Sequence, residues 1–284
     1  MITRSQHAPV ERGGRNLTLR AASAAVLVPV VVAVAYVGEW PFLGLCLLGS
    51  AGILWEWTRL VANKSDPRML VPGWAALLAA SVFVGINKPG LAETVLLTGA
   101  LLAGLAEVRG LPASRIWAAG GVIYAGVAFL GPALLRRDSE LGFTAFLYLA
   151  VTVWMTDSLA YVVGRTVGGP LLWPSVSPNK TWSGAVGGLA GGVAGGTLLA
   201  YASGLNGPAV AIVALVLSAL AQAGDFFESA VKRRFNVKDT SRLIPGHGGL
   251  MDRLDGFLVA AFAALLIGIF HQGTNAPARG LLLW

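Results

Sequence analysis

Between residues 21 and 271 the chain divides into nine apolar runs, near residues 21–38, 41–61, 70–86, 91–106, 115–135, 141–164, 182–204, 208–232 and 254–271. Nothing else in the sequence restricts the fold as strongly. About 20 apolar residues, wound as a helix, cross a hydrocarbon core about 30 Å thick. Lipid offers no hydrogen bonds, so each crossing must satisfy its own backbone, and runs rich in alanine and leucine select helices over a closed barrel. The expected fold is all-α: a polytopic integral membrane bundle of about nine transmembrane helices, with residues 1–284 forming one domain and residues 1–20 its N-terminal tail. The 55% hydrophobic content exceeds the roughly 45–50% of soluble domains. The fourth run is the weakest, being short and carrying Glu93.

Loops on the cytoplasmic side are enriched in Lys and Arg. With the N-terminus inside, all of the 21 basic residues except Lys88, Arg136, Arg137 and Arg279 fall on that side. The expected location is therefore the cytoplasmic (inner) membrane, with the N-terminus in the cytoplasm. A net charge of +7 would suit nucleic acid if it formed one soluble patch, but it is spread over inner loops, where anionic membrane lipids account for it. Cys46 is the only cysteine and lies in an apolar run, which excludes a disulfide or a thiolate metal site. The first run has a long polar leader and no A-x-A cleavage pattern, so it reads as a retained helix.

Charges inside apolar helices are costly and mark functional candidates. The sixth run carries Asp157, with Tyr161 and Arg165 following on the same face. The eighth carries Ser218, Gln222, Asp225, Ser229 and Lys232 at helical spacing, and the ninth opens with Asp252, Arg253 and Asp255. Asp225 lies 17 residues past the start of its run at residue 208, about 25 Å along a helix. Asp157, 16 residues from residue 141, reaches a similar level, and Asp252 stands at the inner end of the next helix. These carboxylates can thus converge where phospholipid phosphates lie. Taken singly, each could be an ordinary helix-end residue. Asp225 with Glu228, and Asp252 with Asp255, would repel unless a cation or basic groups offset them, and oxygen ligands without cysteine favour Mg²⁺ over zinc.

Two connections between these helices suit phosphate. In "PGHGGLMDR", Gly246, Gly248 and Gly249 surround His247 just before a helix start, where backbone N–H groups can approach an anion. With one histidine nearby, His247 fits a phosphate or leaving-group contact better than a metal site. Lys232, Arg233, Lys238, Arg242 and Arg253 can neutralise phosphate oxygens. The segment "SVSPNKTWSG" presents Ser177, Asn179, Lys180, Thr181 and Ser183 in a turn that feeds a helix. In the seventh run, Gly184, Gly188, Gly192 and Gly196 form a flat face that suits close helix packing, and that would serve a homodimer as readily as internal contact. Trp40, Trp117, Trp173, Trp182 and Trp284 lie near helix ends, as interfacial anchors do.

The stretch "SAVKRRFNVKDTSRLIPGHGGLMDRLD" resembles, in register throughout, the signature of the phosphatidate cytidylyltransferase (CDP-diacylglycerol synthase) family; with "GDFFES" before it, the signature region spans residues 225–256. "DSLAYVVGR" and "SPNKTWSG" resemble further segments of that family, whose nine-helix character agrees with the nine runs. One departure is Ser183, where many members carry an acidic residue, so no catalytic acid is assigned there. The resemblance implies condensation of CTP with phosphatidic acid to CDP-diacylglycerol and pyrophosphate, and the topology and depth arguments above put the active site on the cytoplasmic side.

On that reading the lipid phosphate attacks the α-phosphorus of CTP, and the protein positions two anions and cancels their repulsion. Asp225, Asp252, Lys238, Asp239, His247 and Arg253 are the expected catalytic residues. Asp225, Asp252 and Asp255 are expected to hold Mg²⁺, in a scheme with room for a second cation about 4 Å away. Substrate contacts are expected from Asp157, Tyr161, Arg165, Ser177, Asn179, Lys180, Ser229, Lys232, Arg233, Gly248 and Gly249. The competing readings are a CTP-using enzyme acting on another lipid, such as a polyprenol kinase or an archaeol cytidylyltransferase, and a transporter. Against transport, the acids cluster near one surface rather than at the midplane, and no duplicated half is evident.

Overall fold

The computed structural model describes residues 11–62, 65–106, 112–205, 207–241, 243 and 248–284. Nine long helices follow one another: α1 (Glu11–Val37), α2 (Glu39–Ala62), α3 (Pro67–Gly85), α4 (Pro89–Ala106), α5 (Pro112–Leu135), α6 (Gly142–Val167), α7 (Trp182–Ala202), α8 (Pro208–Arg234) and α9 (Met251–Gln272). A hairpin of β1 (Leu171–Trp173) and β2 (Ser177–Thr181) separates α6 from α7, and a short α10 (Pro277–Leu282) closes the chain. Five helices begin on a proline, namely Pro67, Pro89, Pro112, Pro208 and Pro277. At a helix start the missing N–H would have had no partner anyway, and the fixed φ suits the first turn. Asp66 adds a side-chain cap to α3 by accepting from the Arg68 N–H at 3.0 Å. Thr181 caps α7 by accepting from the Gly184 N–H at 3.1 Å.

Eight of these helices, α2 to α9, are long and apolar enough to cross a membrane, the weak fourth among them. The apolar part of α1 that qualifies by composition, Ala25–Val37, is shorter. The expected helical membrane bundle is therefore present. Large apolar side chains such as Leu48, Leu78, Leu101, Val186, Leu198 and Phe270 point outward, as they do where the solvent is lipid.

Within the bundle, α6 and α7 form the most extensive pair; α8 packs on α7 and α9, α9 on α5, and α5 on α2 and α4. The glycines of α7 explain the first pairing. A Cβ on Gly188 would stand 2.9 Å from the Thr156 carbonyl oxygen, and one on Gly192 would meet the hydroxyls of Thr156 and Ser218. The row of Gly187, Gly191 and Gly195 is filled in turn by Val163, Leu159 and Met155. Both glycine rows are occupied by neighbouring helices of the same chain, so a homodimer would have to use another surface. Thr156 and Ser218 share a hydrogen bond of 2.7 Å across this close contact.

At one end of the bundle, Arg136 donates to the carbonyls of Ala35 and Tyr36, and Arg279 pairs with Asp138 and Glu140 at 2.8 Å each. Burial works against ionisation of Asp138, yet the Leu141 and Glu140 N–H groups and the Arg279 guanidinium hold its carboxyl below the usual carboxylate range. The other end gathers the last turns of α2, α6 and α8 with the first turns of α5, α7 and α9. Trp57 donates to the Trp117 carbonyl at 2.9 Å there, and Arg233 to the Val176 carbonyl at 3.3 Å.

Two local features depart from the sequence reading. The connection expected to be a turn is an antiparallel hairpin, pairing Leu171 with Thr181 and Trp173 with Ser177. Trp117, expected at the interface as an anchor, instead packs against Trp57 and edge-on to Phe235. Trp40, Trp173, Trp182 and Trp284 are exposed at helix or hairpin ends.

Candidate active site

The end of α6, the hairpin, the start of α7, α8, the loop after it and the start of α9 enclose a cavity of about 710 Å³ at the α6/α8/α9 end of the bundle. Its size falls in the roughly 300–1,000 Å³ range of small-molecule sites. The last turns of α6 contribute Asp157, Tyr161 and Arg165, and the hairpin contributes Ser177, Asn179 and Lys180. From α8 come Gln222, Asp225 and Lys232; Asp239 lies on the following loop, and the first turns of α9 supply Asp252, Arg253 and Asp255. These thirteen residues, all singled out from the sequence, thus line a single space.

The polar stripe of α8 divides by depth. Ser218 and Gln222 bond to the Gly188 and Ala185 carbonyls of α7 and hold helices together. Asp225 and Lys232, further along, face the cavity. Asp225 and Asp252 are each engaged by a lysine. Asp225 pairs with Lys180, which the hairpin carries across from the other side, and accepts more weakly from the Ser229 hydroxyl at 3.4 Å. The Lys180 ammonium also lies 4.2 Å from the centre of the Phe226 ring, a cation–π contact that fixes its approach. Lys232 bridges Asp252 at 2.8 Å and the fully buried Glu228 at 2.9 Å. Three lysine and carboxylate groups held this closely limit each other's cost of burial, whereas any one alone would be strongly unfavourable.

Asp252 is held on its other oxygen as well. Its Oδ2 accepts from the N–H groups of Thr240 and Gly249, at 3.1 and 2.9 Å, and lies 3.1 Å from the Thr240 hydroxyl. The glycine-rich segment before α9 therefore spends a backbone donor on a carboxylate. Gly249 has no room for a side chain, since a Cβ would stand 3.0 Å from both Asp252 Oδ2 and Glu56 Oε1. Gly248 has a left-handed φ of 90°, where glycine is favoured.

Five sequence-selected residues lie off the cavity wall, Gly248 beside Gly249 among them. Ser229 acts through Asp225, and Arg233 turns to the hairpin carbonyl of Val176. Gly249 acts through Asp252. Lys238 lines a neighbouring cavity of about 680 Å³ with Trp55, Arg59, Asp239, Ser241 and Leu243, on the α2 side of the loop. Arg242, Gly246 and His247 lie outside the described residues.

The residue that sequence reading passed over is Glu56. It sits in the second apolar run, is completely buried, and accepts hydrogen bonds from the loop before α9. The rule that selected Asp157, a carboxylate inside an apolar helix, applies to it equally. For a metal, no group of three His, Cys, Asp or Glu side chains among the described residues is arranged to ligate one. Asp225, Asp252 and Asp255 nevertheless supply hard oxygen donors to one cavity, and the buried Glu228 carboxyl lies beside Asp255. That donor set fits a cation completed by substrate oxygens, as Mg²⁺ usually is.

Residues 18–270 match the model of the cytidylyltransferase family. The chain belongs to this family. Phosphatidate cytidylyltransferase of Brucella suis is 40% identical over 266 residues, which cover 93% of this chain and 97% of the relative. The Brucella abortus protein of that name is 41% identical over 256 residues, 89% of this chain and 93% of the relative. A Bacillus subtilis phosphatidate cytidylyltransferase is 40% identical over 151 residues. Family membership and helix composition together make this an integral membrane nucleotidyltransferase, and the lysine-held carboxylates are its candidate reaction centre.

Proposed function

We propose that the protein transfers the cytidylyl group of CTP to phosphatidic acid, giving CDP-diacylglycerol and pyrophosphate. The observation that carries this reading is the meeting of Asp225, Asp252, Lys180 and Lys232 on one cavity, at the end of a membrane bundle of the cytidylyltransferase family. The acyl chains stay in the bilayer while the lipid phosphate reaches the helix ends. One phosphate oxygen forms a bond to the α-phosphorus of CTP, and the bond from that phosphorus to the β-bridging oxygen breaks, releasing pyrophosphate. The nucleophile is already ionised, so no covalent enzyme intermediate and no general base are needed.

The protein's part is to bring two anions together and to stabilise charge on the departing group, which is the common logic of phosphoryl-transfer sites. Lys180 and Lys232 are placed to exchange a carboxylate for a phosphate oxygen as substrates enter. Arg165 is held by the Tyr161 hydroxyl at 2.9 Å on the opposite wall, and Arg253 lines the cavity beside Asp252. Asp225, Asp252 and Asp255 would hold Mg²⁺ together with substrate oxygens, and the ion supplies Lewis-acid stabilisation when bound. The distribution of basic residues supports placing this end, and the N-terminus, on the cytoplasmic side of the inner membrane.

Purified protein supplied with CTP, phosphatidate and Mg²⁺ is expected to form CDP-diacylglycerol, with polyprenol and ether-lipid phosphates much poorer acceptors. Asp225→Asn and Asp252→Asn should each lower turnover by about 100-fold or more. Near wild-type turnover in either variant would remove that residue from the proposed centre.

A further inference from the structure

We infer that Glu56 is a positioning residue for the reaction centre: from α2 it caps the start of α9 and fixes the loop that holds Asp252. This rests on the proposed cytidylyl transfer for its consequence in catalysis, while its geometry stands independently. Glu56 is completely buried. Its Oε1 accepts from the Leu250 N–H at 2.8 Å and from the Ser241 hydroxyl. Its Oε2 accepts from the Met251 N–H at 2.7 Å and the Thr240 hydroxyl at 3.1 Å. All four donors lie in the segment between α8 and α9 or at the first residue of α9, more than 180 residues away in sequence.

The need for such a cap is visible locally. Leu250 occupies the N-cap position of α9 and makes no side-chain cap bond. The first N–H groups of a helix have no partner within it, and a negative charge there also meets the positive end of the helix dipole. Glu56 supplies both the acceptors and the charge. Gly52, one turn earlier on α2, leaves room for Leu250, whose Cδ2 would lie 3.1 Å from a Cβ at that position.

The connection to the reaction centre is short. The Thr240 hydroxyl lies 3.1 Å from Glu56 Oε2 and 3.1 Å from Asp252 Oδ2, and it carries one proton for the two carboxylates. Asp252 is the second residue of α9, so the cap that fixes Met251 also fixes where the Asp252 carboxylate begins. A glutamine at position 56 cannot reproduce this. Each carboxylate oxygen receives one backbone N–H, so either orientation of the amide would set its NH₂ against an N–H that cannot reverse.

The test measures loop protection and turnover in the full-length protein. In Glu56→Gln, amide hydrogen exchange of peptides spanning residues 238–252 is expected to accelerate by about tenfold or more, the equivalent of one lost charged hydrogen bond, with the α6–α7 pair unchanged. Turnover should fall by about 10- to 100-fold, mainly in kcat rather than in KM for CTP. Glu56→Asp should recover part of both. If Glu56→Gln fails to fold, Ser241→Ala removes one of the four donors without altering the buried charge, and should show the same local acceleration with a turnover loss of several-fold. Unchanged exchange in this loop, or unchanged turnover beside faster exchange, would overturn the inference. Absence of cytidylyl transfer by wild-type protein would refute the proposed function and leave the exchange result to judge the cap alone.

Discussion

Lys232 stands between two acids that differ in burial and in expected role. Its ammonium holds the fully buried Glu228 within its own helix, and Asp252 at the start of the next. Removing a cation from a buried pair leaves the charge opposite uncompensated, typically costing about 3–5 kcal/mol. Lys232→Met should therefore unfold at distinctly lower temperature in detergent and lose activity. Adding Glu228→Gln should return much of the stability without returning turnover, because Asp252 still lacks its cation. Full recovery of turnover in the double variant would contradict the role given to Lys232. At this scale the acids were legible because a carboxylate in an apolar helix stands out. The i,i+4 pairing of Glu228 with Lys232 also follows from spacing. The pairing of Lys180 with Asp225 does not, since it depends on a hairpin bringing residue 180 back over α8. Lys238, which its place in the signature put with the catalytic residues, lines the neighbouring cavity on the α2 side, a placement that spacing alone does not give.

Among the elements, the helices were readable from apolar length and from proline at their starts, while the hairpin was not. Strands of three and five residues with a prolyl residue and little alternation carry almost no periodic signal. The glycine rows of α7 were readable as a packing face, and the structure shows what they pack against. Close backbone contact between α6 and α7 sets Asp157, Arg165 and the hairpin at one height, so enlarging a glycine should disturb the site from a distance. Gly192→Leu would drive a side chain into the Thr156 and Ser218 hydroxyls. A loss of about 1–3 kcal/mol is expected, together with reduced turnover. Gly49→Ala on α2 meets nothing within 4 Å and should leave both nearly unchanged. Equal melting temperatures for the two variants would show that the α6–α7 contact does not set the bundle's geometry.

For the whole molecule, the organising contrast is between an apolar exterior and a polar space at one end. The bundle has eight helices suited to lipid, and α6 to α9 with the hairpin wall a space that holds Asp225, Lys232, Asp239, Asp252, Arg253 and Asp255. The general location of the site was legible because depth along a helix is fixed by residue count. Its bracing by α2 was not, because nothing local links Glu56 to residues nearly 200 positions away. The central claim is that this space joins the α-phosphorus of a nucleotide to a lipid phosphate. Its most direct measurement follows the two ends of the triphosphate separately, using CTP labelled at the α- or the γ-phosphorus with phosphatidate and Mg²⁺. The α-label should enter the lipid product while the γ-label leaves as pyrophosphate; γ-label in the lipid, or no lipid label from either position, would contradict the account.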